Sequence, residues 1–248
     1  MQKSLLFIFL ILGSLSQSFA QGGKIVYNRK YNWINIATKL PYLSQEEKDR
    51  IKTYWGKEDE DNKGTNFLLT YNDSGSVYKE MEKVENLGYD WSDEEDIFIR
   101  DFDQKTTKDI RILLGKKYVI EDDIPRYKWK ILNELKDIGG YVCMKAELKD
   151  TINDVVIQAW FTDKLPGSLG PEGFGGLPGT ILALDFNDDD VNIIGTKIEV
   201  IEDAKVELPF PKKIKGKPLK YAEYYAKKKK HILLSIEGKR NPYWEMRY

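Results

Sequence analysis

The stretch GPEGFGGLPGTILALDF, residues 170–186, decides how the chain is read. Its first ten residues hold five glycines and two prolines, and the next seven run Thr180-Ile181-Leu182-Ala183-Leu184-Asp185-Phe186. Two readings compete: a phosphate-binding loop that opens a helix, or a turn that opens a buried strand. A P-loop needs Gly-x4-Gly-Lys-Ser/Thr, and Gly176 stands where the lysine has to be, so the phosphates lose their counter-charge. The dinucleotide fingerprint needs a third glycine after Gly173 and Gly175; Pro178 holds that place and removes a backbone donor. Both motifs also lead into a helix, whereas residues 180–184 are short, apolar and partly β-branched, as a buried strand is. Pro178 and Gly179 suit the two central positions of a type II turn, because proline presets φ and glycine supplies φ > 0. Leu177 is then expected to tuck inward as the anchor of the turn, and residues 173–176 to let backbone approach backbone without Cβ obstruction. The same loop is a candidate recognition surface, through Gly170, Pro171, Phe174, Gly176, Leu177, Pro178 and Gly179, because loops on rigid scaffolds carry contacts.

Outward from this stretch, strand patterns recur between turn signals. Residues 24–33 read as a first strand. Phe67, Leu69 and Tyr71 alternate with Asn66, Leu68 and Thr70, and Asp73-Ser74-Gly75-Ser76 turns the chain into residues 77–81, a hairpin pattern. Residues 96–103 and 108–114 form a second pair, followed by 116–121 and 128–135. Val142, Met144, Ala146 and Leu148 alternate with Tyr141, Cys143, Lys145 and Glu147 with the period of a half-buried strand. Residues 150–154 turn it into 155–162. Ile198 and Val200, then Ala204, Val206 and Leu208, continue the alternation with a change of phase near Glu202-Asp203, where a turn or bulge is expected. Two helices interrupt the pattern. Ser44-Gln45-Glu46-Glu47 is a capping box that opens a short helix ending near Gly56. After a basic connector at 211–217, residues 219–236 are the longest helical candidate. The expected fold is mainly β: a single antiparallel sheet, curved or partly open and barrel-like, with two peripheral helices.

The first residues, MQKSLLFIFLILGSLSQSFAQ, place a charge at Lys3 before an apolar run and a small-x-small site at Ser18-Phe19-Ala20. That is the pattern of a secretory signal peptide over residues 1–20, leaving one β-rich domain over 21–248. The apolar run is shorter than the ~20 residues a membrane span needs. Lys+Arg total 39 against 40 Asp+Glu, so no global attraction to nucleic acid is indicated. With one cysteine, Cys143, the chain forms no internal disulfide, and stability has to come from packing. Cys143 reads as a buried apolar filler, the alternatives being a reactive thiol or a partner for another chain.

Gly176-Leu177-Pro178-Gly179-Thr180-Ile181 resembles the signature of the GLPGLI family of exported Gram-negative envelope proteins. Trp129-Lys130-Ile131, Ile138-Gly139-Gly140-Tyr141-Val142-Cys143-Met144-Lys145-Ala146, and Ala159-Trp160-Phe161-Thr162 followed by Pro166 and Gly170-Pro171 stand in the order that family shows. The resemblance runs from about Lys128 to Leu184, and Thr180 departs from the leucine of the signature. It implies a periplasmic or outer-membrane-associated protein, carries over no catalytic residues, and is similar in its β-rich layout to the unclosed barrel of lipoprotein carriers (LolA-like).

Other constellations are sparse. His231 is the only histidine and follows Lys227, Lys228, Lys229 and Lys230, a setting that disfavours a further positive charge on the ring. Asp185, Asn187 and Asp189 occupy positions 1, 3 and 5 of an EF-hand-like spacing, but Asp190 replaces the glycine and Thr196 the closing glutamate. The segment is either a charged turn leaving the strand or a low-affinity Ca²⁺ site. Lys212, Lys213, Lys215, Lys217, Lys220 and the run up to Lys230 form a basic stretch, a solvated helix face or a contact for anionic headgroups or an acidic partner. No cofactor is called for. The leading expectation is a non-enzymatic accessory protein that binds a partner, such as an outer-membrane transporter or secretion component. The alternatives are a carrier of an apolar ligand in the concave face of the sheet, and a hydrolase that uses carboxylates.

Overall fold

A computed structural model describes residues 21–60, 62–81, 96–150, 155–202, 206–211, 214, 216 and 218–244. The proposed leader at 1–20, the turn at 151–154, Asp203, Ala204, Lys212, Lys213, Lys215 and Lys217 lie outside the described residues. The strands are β1 (Gln21–Tyr31), β2 (Thr65–Asn72), β3 (Gly75–Glu80), β4 (Phe98–Asp101), β5 (Thr106–Leu113), β6 (Lys116–Asp123), β7 (Lys130–Ile138), β8 (Tyr141–Asp150), β9 (Val155–Thr162), β10 (Thr180–Phe186), β11 (Val191–Glu202) and β12 (Pro218–Leu219). The helices are α1 (Trp33–Thr38), α2 (Gln45–Glu60) and α3 (Tyr221–Glu237).

All twelve strands join one sheet in the order β12-β6-β5-β4-β3-β2-β1-β11-β10-β9-β8-β7. Every pairing is antiparallel except the two-residue β12 on β6. Two meanders, β2 to β6 and β7 to β11, therefore flank β1, which joins them through its long pairing with β11. The sheet ends in β12 and β7, which do not pair, so it is not closed into a barrel. It is nevertheless curled. Phe98 on β4 and Ile157 on β9 line one small cleft, although six inter-strand steps separate their strands, ~29 Å in a flat sheet.

The stretch that follows the glycines is a strand, as its composition requires. β10 lies between β11 and β9, and all its side chains except Asp185 are buried. Ile181, Leu182 and Leu184 are at most 1% exposed, each contributing about 2 kcal/mol of apolar burial. Leu177 does tuck inward, at 2% exposure. The turn before it closes more tightly than a type II turn: the Gly179 N–H donates to the Leu177 carbonyl at 2.8 Å, a three-residue turn around Pro178. Gly179 has φ +148°, and a Cβ there would overlap the Thr162 carbonyl oxygen on β9.

Three further details differ from the sequence expectation. β1 stops at Tyr31 because Asn32 caps a new helix, its side chain accepting from the Asn35 N–H at 2.9 Å. At six residues α1 is too short to show a periodic apolar face, which is why two helices are expected and three α-helices are found among the described residues. The Ser44 capping box forms, with Ser44 N–H to Glu47 Oε2 at 2.8 Å, but α2 continues through Gly56 to Glu60. On β8, Ala146 and Leu148 are buried as the alternation suggests, yet Val142 is 60% exposed and Cys143 is sealed. The buried face switches there, opposite a register shift in β7 between Ile131 and Leu135.

The main apolar cluster gathers Ile25, Tyr27, Phe67, Leu69, Phe161 and Ile181 with their neighbours between the two wings. A second cluster of Leu113, Ile120 and Tyr224 pins α3 to β5 and β6. Cys143 is buried, and burial pushes its thiol up to about 11. Among the described residues, no helix is long and apolar enough to cross a membrane.

Candidate functional site

The glycine-proline loop turns inward instead of presenting itself to solvent. Gly170, Pro171 and Leu177 are buried, Phe174 and Gly179 are half-buried, and only Gly176 and Pro178 stand exposed. Pro171 starts a 3-10 turn, Pro171–Gly173, where its missing N–H costs nothing. The middle residue, Glu172, is 7% exposed and sits at φ +58°, a conformation that costs a non-glycine residue ~1 kcal/mol or more. Gly173, at φ +72°, has no room for a side chain because a Cβ would overlap the Arg100 guanidinium. Its carbonyl accepts from Arg100 Nη2 at 3.2 Å. Phe174 packs on Tyr127 at 4.9 Å between ring centroids and meets Phe186 edge-on at 5.9 Å.

These contacts build one wall of a cleft of about 60 Å³. The wing carrying β4 and β5 supplies Phe98, Arg100 and Arg111; the other wing supplies Asp150, Val155, Ile157 and Phe186; α3 closes the site with Tyr221, Tyr225 and Lys228. Tyr127, Phe174, Tyr221 and Tyr225 are half-buried, and Arg100, Arg111, Glu172 and Lys228 are buried.

Ion pairs hold the charged groups. Arg100 Nη1 donates to Asp109 Oδ1 at 2.5 Å, to the Ile99 carbonyl at 2.9 Å, and to the Thr107 hydroxyl. The Tyr221 hydroxyl donates to the other Asp109 oxygen, which ties the start of α3 to β5. Arg111 Nε donates to Asp96 Oδ2 at 3.1 Å, and its guanidinium lies over Phe98 at 4.6 Å and Tyr224 at 5.2 Å. Arg29 on β1 meets Glu172 at 3.3 Å and covers the Phe67 ring at 4.1 Å.

Two groups in this cleft titrate far from their usual range. Burial pushes the Glu172 carboxyl up from 4.5 to about 7, against the opposing pull of Arg29, Arg111 and a hydrogen bond with Tyr78. Burial, then the neighbouring Arg111, push the Lys228 ammonium down from 10.5 to about 7, while Asp150, Asp96 and Glu172 work the other way. The cleft therefore holds an acid and a base that both exchange protons near neutrality, beside cations fixed by carboxylates behind them. Such a group can take or give a proton, or recognise a polar ligand whose charge completes the set.

The other sequence candidates lie elsewhere. Asp185, Asn187 and Asp189 do not converge on a cation position. Asp185 Oδ1 accepts the Asp189 N–H at 3.1 Å, Asn187 Oδ1 accepts the Val156 N–H at 3.0 Å, and Asp189 accepts from Asn32 at 3.0 Å and from Asn192. Among the described residues no group of three or more His, Cys, Asp or Glu side chains has metal-holding geometry. The segment docks on α1 through Lys39 to Asp190 at 2.7 Å and Asn35 to Asp190 at 2.9 Å. His231 is half-buried on α3 with its Nε2 3.4 Å from the Ser235 hydroxyl. Lys220, Lys227, Lys229 and Lys230 are exposed, but Lys228 is 6% exposed and points into the cleft side of α3.

Arg100, Arg111, Asp150 and Glu172 were not singled out by the sequence reading, and Lys228 entered it only as part of the basic stretch. One signal was available for Lys228: Tyr221, Tyr224, Tyr225, Lys228 and Ser235 follow the spacing of one helical face, which places this lysine with the buried tyrosines. The charged residues of the sheet carry no such mark.

Residues 147–183 match a family described as "Protein of unknown function (Porph_ging)". The match takes in Asp150, Val155, Ile157, Glu172 and Phe174 of the cleft. No curated protein matches. Two solved structures of PNGF-II are similar, one in a P21 and one in a C2 crystal form. The first has a TM-score of 0.53 at 16% identity over 83% of this chain, the second 0.51 at 15% over 84%. The chain spans about a third of the length of those proteins, 33% and 32%. The likeness is one of fold.

Proposed function

We propose that this chain is an exported cell-envelope protein of the GLPGLI kind that works by binding, as an accessory to an outer-membrane transporter or secretion component, and that the cleft beside α3 is its binding site. One observation carries the reading. Both wings of the sheet, the strained Glu172 turn and α3 converge on a single cleft whose half-buried rings surround buried charge. Rings with polar floors make contacts that are both large and specific. The larger cleft beside it, about 670 Å³, mixes acidic side chains, Asp101, Asp103, Glu121 and Asp122, with the apolar Ile99, Phe210 and Ile214. The exposed Lys227, Lys229 and Lys230 add a secondary contact for anionic headgroups.

Photo-crosslinking in intact cells tests the site. A benzophenone amino acid at Tyr127 or Phe174, at the mouth, captures the partner, and one at Leu233, exposed on α3, captures it less. Equal capture at all positions, or none at the mouth, refutes the assignment. A specific observation also supports a hydrolytic reading. Glu172, with its carboxyl raised to about 7, shares the cleft with Asp150, as a general acid with a second carboxylate would. Glu172→Gln distinguishes the two: it abolishes turnover of any substrate found if the site is catalytic, and leaves crosslinking in place if it only binds.

A further inference from the structure

α3 seats one face and leaves the other bare. Tyr224, Lys228 and Ser235 are buried on its inner side, where Tyr221, Tyr225 and Ile232 complete the packing around Leu113 and Ile120. On the outer side Leu233 is 58% and Leu234 50% exposed, and the seating of the helix does not use them. A single apolar residue on a surface is ordinary; these two stand beside a particular set of charges. Lys220 pairs with Asp122 at 3.2 Å and Lys227 lies 6.0 Å from the Tyr118 ring centroid, so both turn back onto β6. Lys229 and Lys230 are exposed and take part in no ion pair among the described residues. They stand four residues before Leu233 and Leu234, and side chains at i and i+4 are neighbours on a helix. Each of these cations therefore lies beside an exposed leucine. Lys239 and Arg240, exposed just past the end of the helix, add positive charge and outweigh Glu223 and Glu237 on the outer side. A surface that suits both rows offers anions in front and hydrocarbon close behind. Water satisfies the lysines alone, and an apolar protein surface the leucines alone. Anionic lipid supplies both, because lysine stems lie along apolar surface while their heads stay with the phosphates.

We propose that α3 docks its outer face on an anionic lipid surface, Leu233 and Leu234 entering the boundary between headgroups and acyl chains and Lys229 and Lys230 holding the phosphates. This deepens the headgroup contact of the reading above and rests on the export that reading assumes. The helix then lies in the plane of the membrane. Its cleft side, with Tyr221, Tyr225 and Lys228, turns away from the lipid, so lipid and partner are held at once. Two leucines and two lysines give a reversible attachment that salt weakens.

Sedimentation of the full chain with vesicles tests it. Vesicles of phosphatidylglycerol with phosphatidylethanolamine carry the protein down, neutral phosphatidylcholine vesicles do not, and salt releases it. Leu233→Ser with Leu234→Ser lowers the partition about tenfold or more. Lys229→Gln with Lys230→Gln lowers it about fivefold per lysine. Immersion is read separately. Cys143 is sealed, so Leu233→Cys offers one accessible thiol for an environment-sensitive dye, whose emission shifts to the blue on the anionic vesicles. The same dye at Tyr54→Cys, exposed on α2, does not shift. All these positions are exposed, and circular dichroism checks the fold of each variant. Equal binding to neutral vesicles, no binding to anionic ones, or a dye at Leu233→Cys that stays in water overturns the proposal. So does loss of binding in the lysine variant but not in the leucine variant, which is the mark of an acidic protein partner. Mouth crosslinks at Tyr127 and Phe174 that persist while vesicle binding fails sink this inference alone; vesicle binding that persists while the crosslinks are lost sinks the cleft reading alone.

Discussion

Glu172 and Lys228 give the folded protein an unusual dependence on pH, and its direction follows from their proton counts. Glu172 is raised from 4.5 to about 7 in the fold, so between those values the folded chain holds more protons than the unfolded one. Its contribution is complete below 4.5 and is lost as pH rises through 7. Lys228 is lowered from 10.5 to about 7, so from 7 to 10.5 the unfolded chain holds more protons. Its penalty is complete below 7 and is relieved as pH climbs towards 10.5. Stability therefore falls from pH 4.5 to 7 and recovers from 7 to 10.5, with a minimum near neutrality. At 1.36 kcal/mol per unit the acid limb amounts to about 3 kcal/mol and the alkaline limb to about 5 kcal/mol. These are upper bounds, since both groups face Arg111 and Asp96 and share their protons in one site. Urea unfolding at pH 5, 7 and 9, at fixed ionic strength, measures both limbs. Glu172→Gln removes the acid limb and keeps the alkaline rise; Lys228→Met does the reverse. A wild-type maximum near pH 7, or an alkaline rise that survives in Lys228→Met, refutes the assignment of these groups.

Three further predictions concern the frame. Gly179→Ala forces a side chain into φ +148° and into the Thr162 carbonyl, and lowers stability by about 2–4 kcal/mol, read as a drop in the urea midpoint. Gly56→Ala does the opposite: the site lies inside α2 with nothing within 4 Å of the added methyl, so thermal unfolding shifts upward by the equivalent of about 1 kcal/mol. Asp109→Asn leaves Arg100 buried beside a neutral group and loosens the first turn of α3; a loss of about 3–5 kcal/mol is expected, with earlier proteolysis in residues 218–225 than elsewhere.

The strands were legible because their signals are local. The period of two in β2, the turn residues between β2 and β3, and the glycine-proline entry to β10 each act within a few neighbours of the residue that shows them. The same logic explains the errors. The buried face of β8 switches at Cys143 because of a register shift in β7, a fact of its partner and not of its own sequence. The cleft was illegible for a stronger reason of the same kind: Arg29, Asp96, Arg111, Glu172 and Lys228 are scattered over the chain and meet only because the sheet curls. Lys228 stood inside a run of four lysines, which reads as solvated, and only its phase with Tyr221, Tyr224 and Tyr225 marks it as inward.

What the cleft costs is the best argument that it is used. A buried ion pair gains little over well-packed apolar groups of the same volume, and replacing one with such groups is often neutral or stabilising. This chain has no need of charge to hold its wings together, since the main cluster already seals them with Ile25, Tyr27, Phe67, Phe161 and Ile181. Yet Arg29 with Glu172, Arg100 with Asp109 and Arg111 with Asp96 are all nearly sealed at one place. Glu172 is strained there besides, and Lys228 is desolvated to the point of losing its proton near neutrality. An apolar set at Arg111, Glu172 and Lys228 would seat α3 as firmly and remove the pH minimum. A fold that keeps the charged set instead keeps groups that a polar ligand can engage, and a core evolved for packing alone has no physical reason to retain them.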